Sequence, residues 1–155
     1  MGLITNVDRL NPELAKRVHN MLEYCKKNNV AVAVIETLRT IEVQTAYYAQ
    51  GRKPLDEVNA LRRKAGLWEI TEAANKKTIT NTMASNHLKG KAIDIAPMKD
   101  GLVWWAAPQQ VWEEIGLLAE TFGLDWCAGG YGAVWGKGWD NPHFELLAAW
   151  PVTKK

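Results

Sequence analysis

From Asn11 onward the chain spaces its apolar residues at helical intervals. In "NPELAKRVHNMLEYCKKNN", Leu14, Val18, Met21, Leu22 and Cys25 fall on one stripe. Asn11 is placed to cap that helix and Pro12 suits its first position, while His19 lies beside the stripe, at the surface or its boundary. The β-branched run "VAVAVIET" predicts a short buried strand, and "TIEVQTAYYAQGR" a second helix ended by Gly51. Residues 53–77 are polar and read as a loop excursion with a short helix near "LDEVNALRRKAG". "KTITNT" and "KAIDIAP" are strand candidates, the second stopped by Pro97. "PQQVWEEIGLLAETFG" predicts a third helix, with Val111, Ile115, Leu118 and Phe122 on its stripe and Gly123 as its stop. The segment "LDWCAGGYGAVWGKGWDNPHFEL" is rich in glycine and tryptophan and closes in a short strand. Helices interspersed with short strands, without regular βαβ spacing, predict an α+β fold. Its sheet should be small, mainly antiparallel and flanked by helices.

Composition narrows the class. A chain of 155 residues, 47% hydrophobic and 23% charged, is expected to form one globular domain over residues 1–155. A net charge of +2 with no Lys/Arg block gives no reason to expect nucleic-acid binding. No run approaches the roughly 18 apolar residues of a membrane span, so stable membrane insertion is not expected. The start, "MGLITNVDRLNPELAKR", is polar by residue 6 and unsuited to a signal peptide. The expectation is synthesis in the cytoplasm, with any substrate outside reached by another agent's help. A monomer is expected. Cys25 and Cys127 form no CxxC pair and read as buried or free thiols.

The candidate chemistry centres on "SNHLKGKAID". Strand alternation puts Ile93 and Ile95 on one face and Ala92, Asp94 and Ala96 on the other, leaving room beside the Asp94 carboxylate. Fully extended, the chain would hold His87 about 23 Å from Asp94. The two meet only if the chain turns, which Gly90 permits. His143, in "WDNPHFEL", completes a set of two imidazoles and one carboxylate, a ligand class known for hydrolytic zinc with an open position. Spacing alone leaves open whether His87 binds metal or is a polar residue leading into a strand.

The motif "SNHLKGKAIDIAP" resembles the S-x-H-x-x-G-x-A-x-D signature of the D-alanyl-D-alanine carboxypeptidase and phage L-alanyl-D-glutamate endopeptidase family of zinc peptidases. "WDNPHFEL" is similar to that family's second signature, an acidic residue three before a histidine. "TLRTIEVQTAYYAQGR" is similar to its upstream R-T…Q…Y-A-Q-G-R segment. The resemblance runs over about residues 30–147. It implies one zinc per chain held by His87, Asp94 and His143, with Asp140 as catalytic acid/base. It also implies that Arg39 and Ser85 contribute to substrate binding. Glu145 is the rival proton carrier, or else a carboxylate supporting His143; Arg39 has a structural ion pair as its alternative. The implied function is hydrolysis of peptidoglycan stem peptides, as a phage endolysin of L-alanyl-D-glutamate or related specificity. A D-alanyl-D-alanine carboxypeptidase is the alternative, and a non-catalytic zinc-containing wall-binding domain a further one. Two features depart from the family pattern: the length of "CAGGYGAVWGKG" and the polar stretch 53–77. Seven of the eight tryptophans lie from Trp104 onward. Most are expected to pack in the core, with Trp126, Trp135 and Trp139 as candidates for a groove wall.

Overall fold

The computed structural model describes residues 3–129, 140–147 and 150. After a 3₁₀ turn at Val7–Arg9, Asn11 accepts from the backbone N–H groups of Glu13 and Leu14 and starts α1, Pro12–Lys27. β1 is Val32–Glu36, α2 Ile41–Ala49, α3 Leu55–Lys64 and α4 Glu72–Asn75. A 3₁₀ turn at Asn86–Lys89 leads into β2, Ala92–Lys99, and then β3, Leu102–Val103. α5 is Gln109–Thr121, followed by β4, Leu124–Trp126, and β5, His143–Leu146. The strands run in the order β1-β2-β5-β4, with β3 paired to β2, and every pairing among the described residues is antiparallel. The α+β expectation holds.

One face of the sheet presents Ile93, Ile95, Phe144, Leu124 and Trp126 to α1 and α5. Leu14, Val18 and Met21 are fully buried there, and each removes apolar surface worth roughly 1.5–3 kcal/mol. The opposite face carries the hydrophilic row described below. His19 is exposed and pairs with Asp8 at 2.8 Å, and both cysteines are buried free thiols.

Several local expectations are corrected. β1 is half-buried along most of its length because it lies at the edge of the sheet, not at its centre. "KTITNT" is no strand. Its carbonyls are satisfied by side chains, Thr80 by Arg52 and Thr82 by Gln44, instead of a neighbouring strand. Pro97 does not end β2. Ala31 takes the Met98 N–H from the β1 side, while Pro97 turns its ring nitrogen to the other side, where its carbonyl accepts from Trp104. No ladder bond is lost on the β1 side. On α5 the buried centre is Trp112, Ile115, Gly116 and Ala119; Val111, Leu118 and Phe122 pack at its margin.

That rotation of α5 follows from Trp126, which is 2% exposed and lies against Gly116. A Cβ at Gly116 would come within 2.3 Å of two indole carbons. Trp126 is therefore core rather than groove wall, whereas Trp135 and Trp139 lie outside the described residues. Residues 53–77 form α3 and α4, tied down by amides: Asn59 bonds both backbone groups of Ile70, and Asn75 bonds Gly51 and Lys53. Their placement sets the course of residues 78–84, which border the site.

Gly116→Ala forces the indole to shift in a filled core, and overpacking of this kind costs about 1–3 kcal/mol. The variant should melt several degrees below wild type in a thermal scan. An unchanged midpoint would show that Trp126 has room to move.

Candidate metal centre

A bulge in β1 sets the site. Val34 pairs with Ile95, and the register then shifts so that Glu36, not Ile35, faces Asp94. Asp94 in turn faces His143 on β5. Directly opposed residues of antiparallel strands share a face, so Glu36, Asp94 and His143 form one cross-strand row.

His87 reaches this row from the 3₁₀ turn. Ser85 caps the turn by accepting from the His87 backbone N–H at 3.2 Å. Gly90 closes it with φ +68°, a left-handed conformation that favours glycine, and a Cβ there would lie 3.2 Å from the Arg9 carbonyl. The link after β1 holds His87 from both sides: its Nδ1 lies 2.9 Å from the Thr37 carbonyl, and its carbonyl accepts from the Arg39 N–H at 2.9 Å. With Nδ1 turned to that carbonyl, Nε2 faces Asp94 Oδ1 at 3.2 Å.

His143 is oriented by the opposite nitrogen. Its Nε2 lies 2.7 Å from Glu145 Oε2, and Asn86 donates to Glu145 Oε1 at 3.0 Å. Nδ1 thereby faces Asp94 Oδ1 at 3.6 Å and Asp140 Oδ2 at 3.8 Å. The two imidazoles meet edge to face, 5.1 Å apart. Ligand atoms of His87, Asp94 and His143 all lie within 4.8 Å of one another. Two ring nitrogens, each ring fixed by a partner on its far side, and a carboxylate fit the donor set of a catalytic zinc.

Charge is tightly coupled here. Burial opposes ionisation of Asp94, but hydrogen bonds from His143 and His87 reverse it and hold the carboxyl well below the usual carboxylate range. Burial likewise disfavours the His143 cation, yet the bonds to Asp94 and Glu145 raise its pKa to about 9. Asp140 moves the other way: lost water, with Asp94 nearby, pushes its carboxyl up. Glu145 is lowered, its bonds from His143 and Asn86 outweighing burial.

Asp140 adopts φ +53°, and its carbonyl accepts from the His143 N–H at 3.1 Å. The loop behind it is pinned twice. Trp126 Nε1 donates to the Asn141 carbonyl at 2.8 Å, and the side chains of Asn141 and Gln109 exchange two hydrogen bonds. Core and helix α5 thus aim Asp140 at the cavity.

Arg39 takes up the ion pair. Its Nε donates to both Glu36 oxygens at 3.1 Å, its Nη2 to Glu36 Oε1 and its Nη1 to Gln44 Oε1 at 2.8 Å. The guanidinium lies over the Tyr47 ring, 4.9 Å from its centroid. Burial works against this cation, but Glu36 more than restores it. The pair is structural, and Arg39 still lines the same cavity as Ser85, His87, Asp94, Asp140 and His143, about 590 Å³ in volume. Gln44 continues the chain of bonds to the Thr82 carbonyl at 2.6 Å, tying the strip 78–84 to the sheet.

All six site residues expected from the sequence therefore gather at one cavity. Those not foreseen are the supports: Glu36, Thr37, Gln44 and Asn86. Asn86 stands next to His87 and Glu36 stands three before Arg39, but only the bulge and the fold reveal their direction.

Comparison with known proteins bears on the signature region and the fold. Residues 78–146, which hold both signatures, match the family model described as D-alanyl-D-alanine carboxypeptidase. The L-alanyl-D-glutamate peptidase of Listeria phage A118 is 24% identical over 144 residues; the match covers 92% of this chain but only 40% of that protein. The L-Ala D-Glu endopeptidase ChiX of Serratia marcescens superposes with a TM-score of 0.56 at 22% identity, covering 91% of this chain and 83% of ChiX. The vancomycin resistance D,D-pentapeptidase VanY, whose structure was solved in complex with Zn(II), gives 0.53 at 15% identity, covering 89% of this chain and 72% of VanY. Over its signature region the chain is similar to the D-alanyl-D-alanine carboxypeptidase family, and it shares the fold of ChiX and VanY.

Proposed function

We propose that this protein is a zinc-dependent endopeptidase that cuts the L-alanyl-D-glutamate bond of peptidoglycan stem peptides, acting as a phage endolysin. The observation that carries the reading is the His87–Asp94–His143 donor set, opening on a cavity with the Asp140 carboxylate at its rim. The phage relative and ChiX are both named for the L-Ala–D-Glu bond, which supports the choice of bond.

His87 through Nε2, Asp94 through its carboxylate and His143 through Nδ1 would hold one zinc per chain. A zinc ion supplies a Lewis acid that polarises the scissile carbonyl and acidifies the attacking water. Asp140 takes the proton from that water and returns it to the leaving amine; a carboxyl pushed up from its ordinary value by burial suits both transfers. Glu145 keeps Nε2 of His143 protonated and Nδ1 turned inward, a supporting role. Arg39, with its charge balanced by Glu36, offers the substrate hydrogen bonds from a rigid fork rather than a free cation. Ser85 acts through the turn that carries His87 and from the cavity wall.

Purified protein incubated with peptidoglycan, with the fragments identified by mass spectrometry, tests the reading. New L-alanine C-termini and D-glutamate N-termini are expected; released terminal D-alanine would assign a carboxypeptidase instead.

Metal content and rate, measured together, separate the roles. His143→Ala should lose both zinc and activity. Asp140→Ala should keep zinc and fall at least about a hundredfold in rate, the scale of lost acid–base help. If Glu145→Ala were dead but zinc-loaded while Asp140→Ala stayed active, the two assignments would be exchanged. Chelation should lower the melting temperature, since a ion bound only by the native state stabilises it.

Glu36→Ala leaves the Arg39 cation buried without its partner, which costs about 3–5 kcal/mol. Urea unfolding measures this; a loss under about 1 kcal/mol would mean that Arg39 swings into water.

For compartment, expression in the cytosol alone should be tolerated, and co-expression with a membrane-permeabilising partner should lyse the cells. Equal lysis without the partner would overturn the proposed dependence on another agent.

A further inference from the structure

Behind His143, away from Asp94, lies a second group of ligand-type atoms. Cys127 Sγ, a ring nitrogen of His143 and a Glu145 carboxylate oxygen lie within 4.8 Å of one another. Cys127 follows β4 and is 2% exposed, its thiol bonded only weakly to the Asp125 carbonyl at 3.7 Å. Glu145 belongs to the cavity lining, so an ion entering the cavity reaches the group past a partly exposed carboxylate. Tetrahedral zinc holds its ligand atoms roughly 3.3–3.8 Å apart, a spacing that small side-chain shifts provide here. Thiolate, imidazole and carboxylate together favour zinc, and the thiolate favours the softer cadmium further.

We propose that Cys127, Glu145 and Nε2 of His143 form a second, inhibitory site for a thiophilic divalent cation. It rests on the reading above in that Nδ1 of His143 serves the first ion. The ring then bridges two sites. On binding, the Cys127 thiol proton and the Nε2 proton pass to solvent, and two new metal bonds, to sulfur and nitrogen, take their place. Glu145 exchanges its hydrogen bond to His143 for a metal bond. His143 loses the partner that orients it, and hydrolysis slows. The protein would then need one equivalent of zinc and be inhibited by a second.

Equilibrium dialysis and ultraviolet absorption during cadmium titration of the metal-depleted full chain test this, alongside peptidoglycan hydrolysis assayed against added zinc. Wild type should bind two equivalents, the second bringing the sulfur-to-cadmium charge-transfer band. Cys127→Ser should bind one equivalent without that band, stay active with one zinc, and need at least about tenfold more zinc for inhibition, the scale of a weakened metal site. One equivalent in both proteins and no thiolate band would overturn the second site while leaving the first intact. No metal bound by either would overturn the first as well. If Cys127→Ser fails to fold, the presence or absence of the band in wild type decides.

Discussion

The Asp94 carboxylate, buried and shared between two imidazoles, is the interaction on which the rest of the structure depends. A carboxylate withdrawn from water is costly unless charge and hydrogen bonds replace the water. His87 and His143 supply them from 3.2 and 3.6 Å. His143 arrives by strand register, and His87 from the 3₁₀ turn that Thr37 holds in place. A slip of one residue in β2 would present Ile93 or Ile95 where Asp94 stands, and drive the carboxylate into the apolar core. The apolar face packed on α1 and α5 therefore enforces the chemistry of the opposite face. The bulge in β1 adds what regular pairing would not: it turns Glu36 to the same side, where it anchors Arg39.

Around that row, rigidity comes from bonds that cross between elements. Trp126 and Gln109 fix the loop of Asp140, Thr37 fixes His87, and the Glu36–Arg39–Gln44 chain fixes the strip at Thr82. Each support joins a residue at the cavity, or beside one, to a distant part of the chain. Hydrolysis needs the proton carrier and the carbonyl-polarising centre held in fixed relation, since small misplacements are expensive in rate.

Much of this was legible in the sequence, for physical reasons that differ by element. α1 could be read because cap, first-turn proline and apolar stripe all agree. The proposed metal ligands could be read because their motifs join unusual residue types at fixed spacing. α5 was read slightly off its axis, since the residue that sets its rotation is Gly116, which makes room for Trp126 from another element. "KTITNT" has the composition of a strand, but side chains from α2 and its C-terminal end, Gln44 and Arg52, satisfy it, and local pattern carries no sign of them. Pro97 is permitted by the side to which its nitrogen points, which depends on neighbours chosen by topology. Glu36 could not be placed at all without the bulge.

The electrostatics of the cavity follow from the same arrangement. Arg39 is balanced by Glu36, so its charge does little for the carboxylates around it. Asp94, Asp140 and Glu145 remain, gathered about two imidazoles. Their combined field raises the His143 pKa to about 9 against the burial that opposes it. A field that holds a proton so firmly between Asp94 and Glu145 will also favour a divalent cation there. Binding to His143 must displace that proton, so affinity should strengthen as pH rises towards 9. The excess of acidic groups that would destabilise an ordinary cavity is what suits this one to a metal ion.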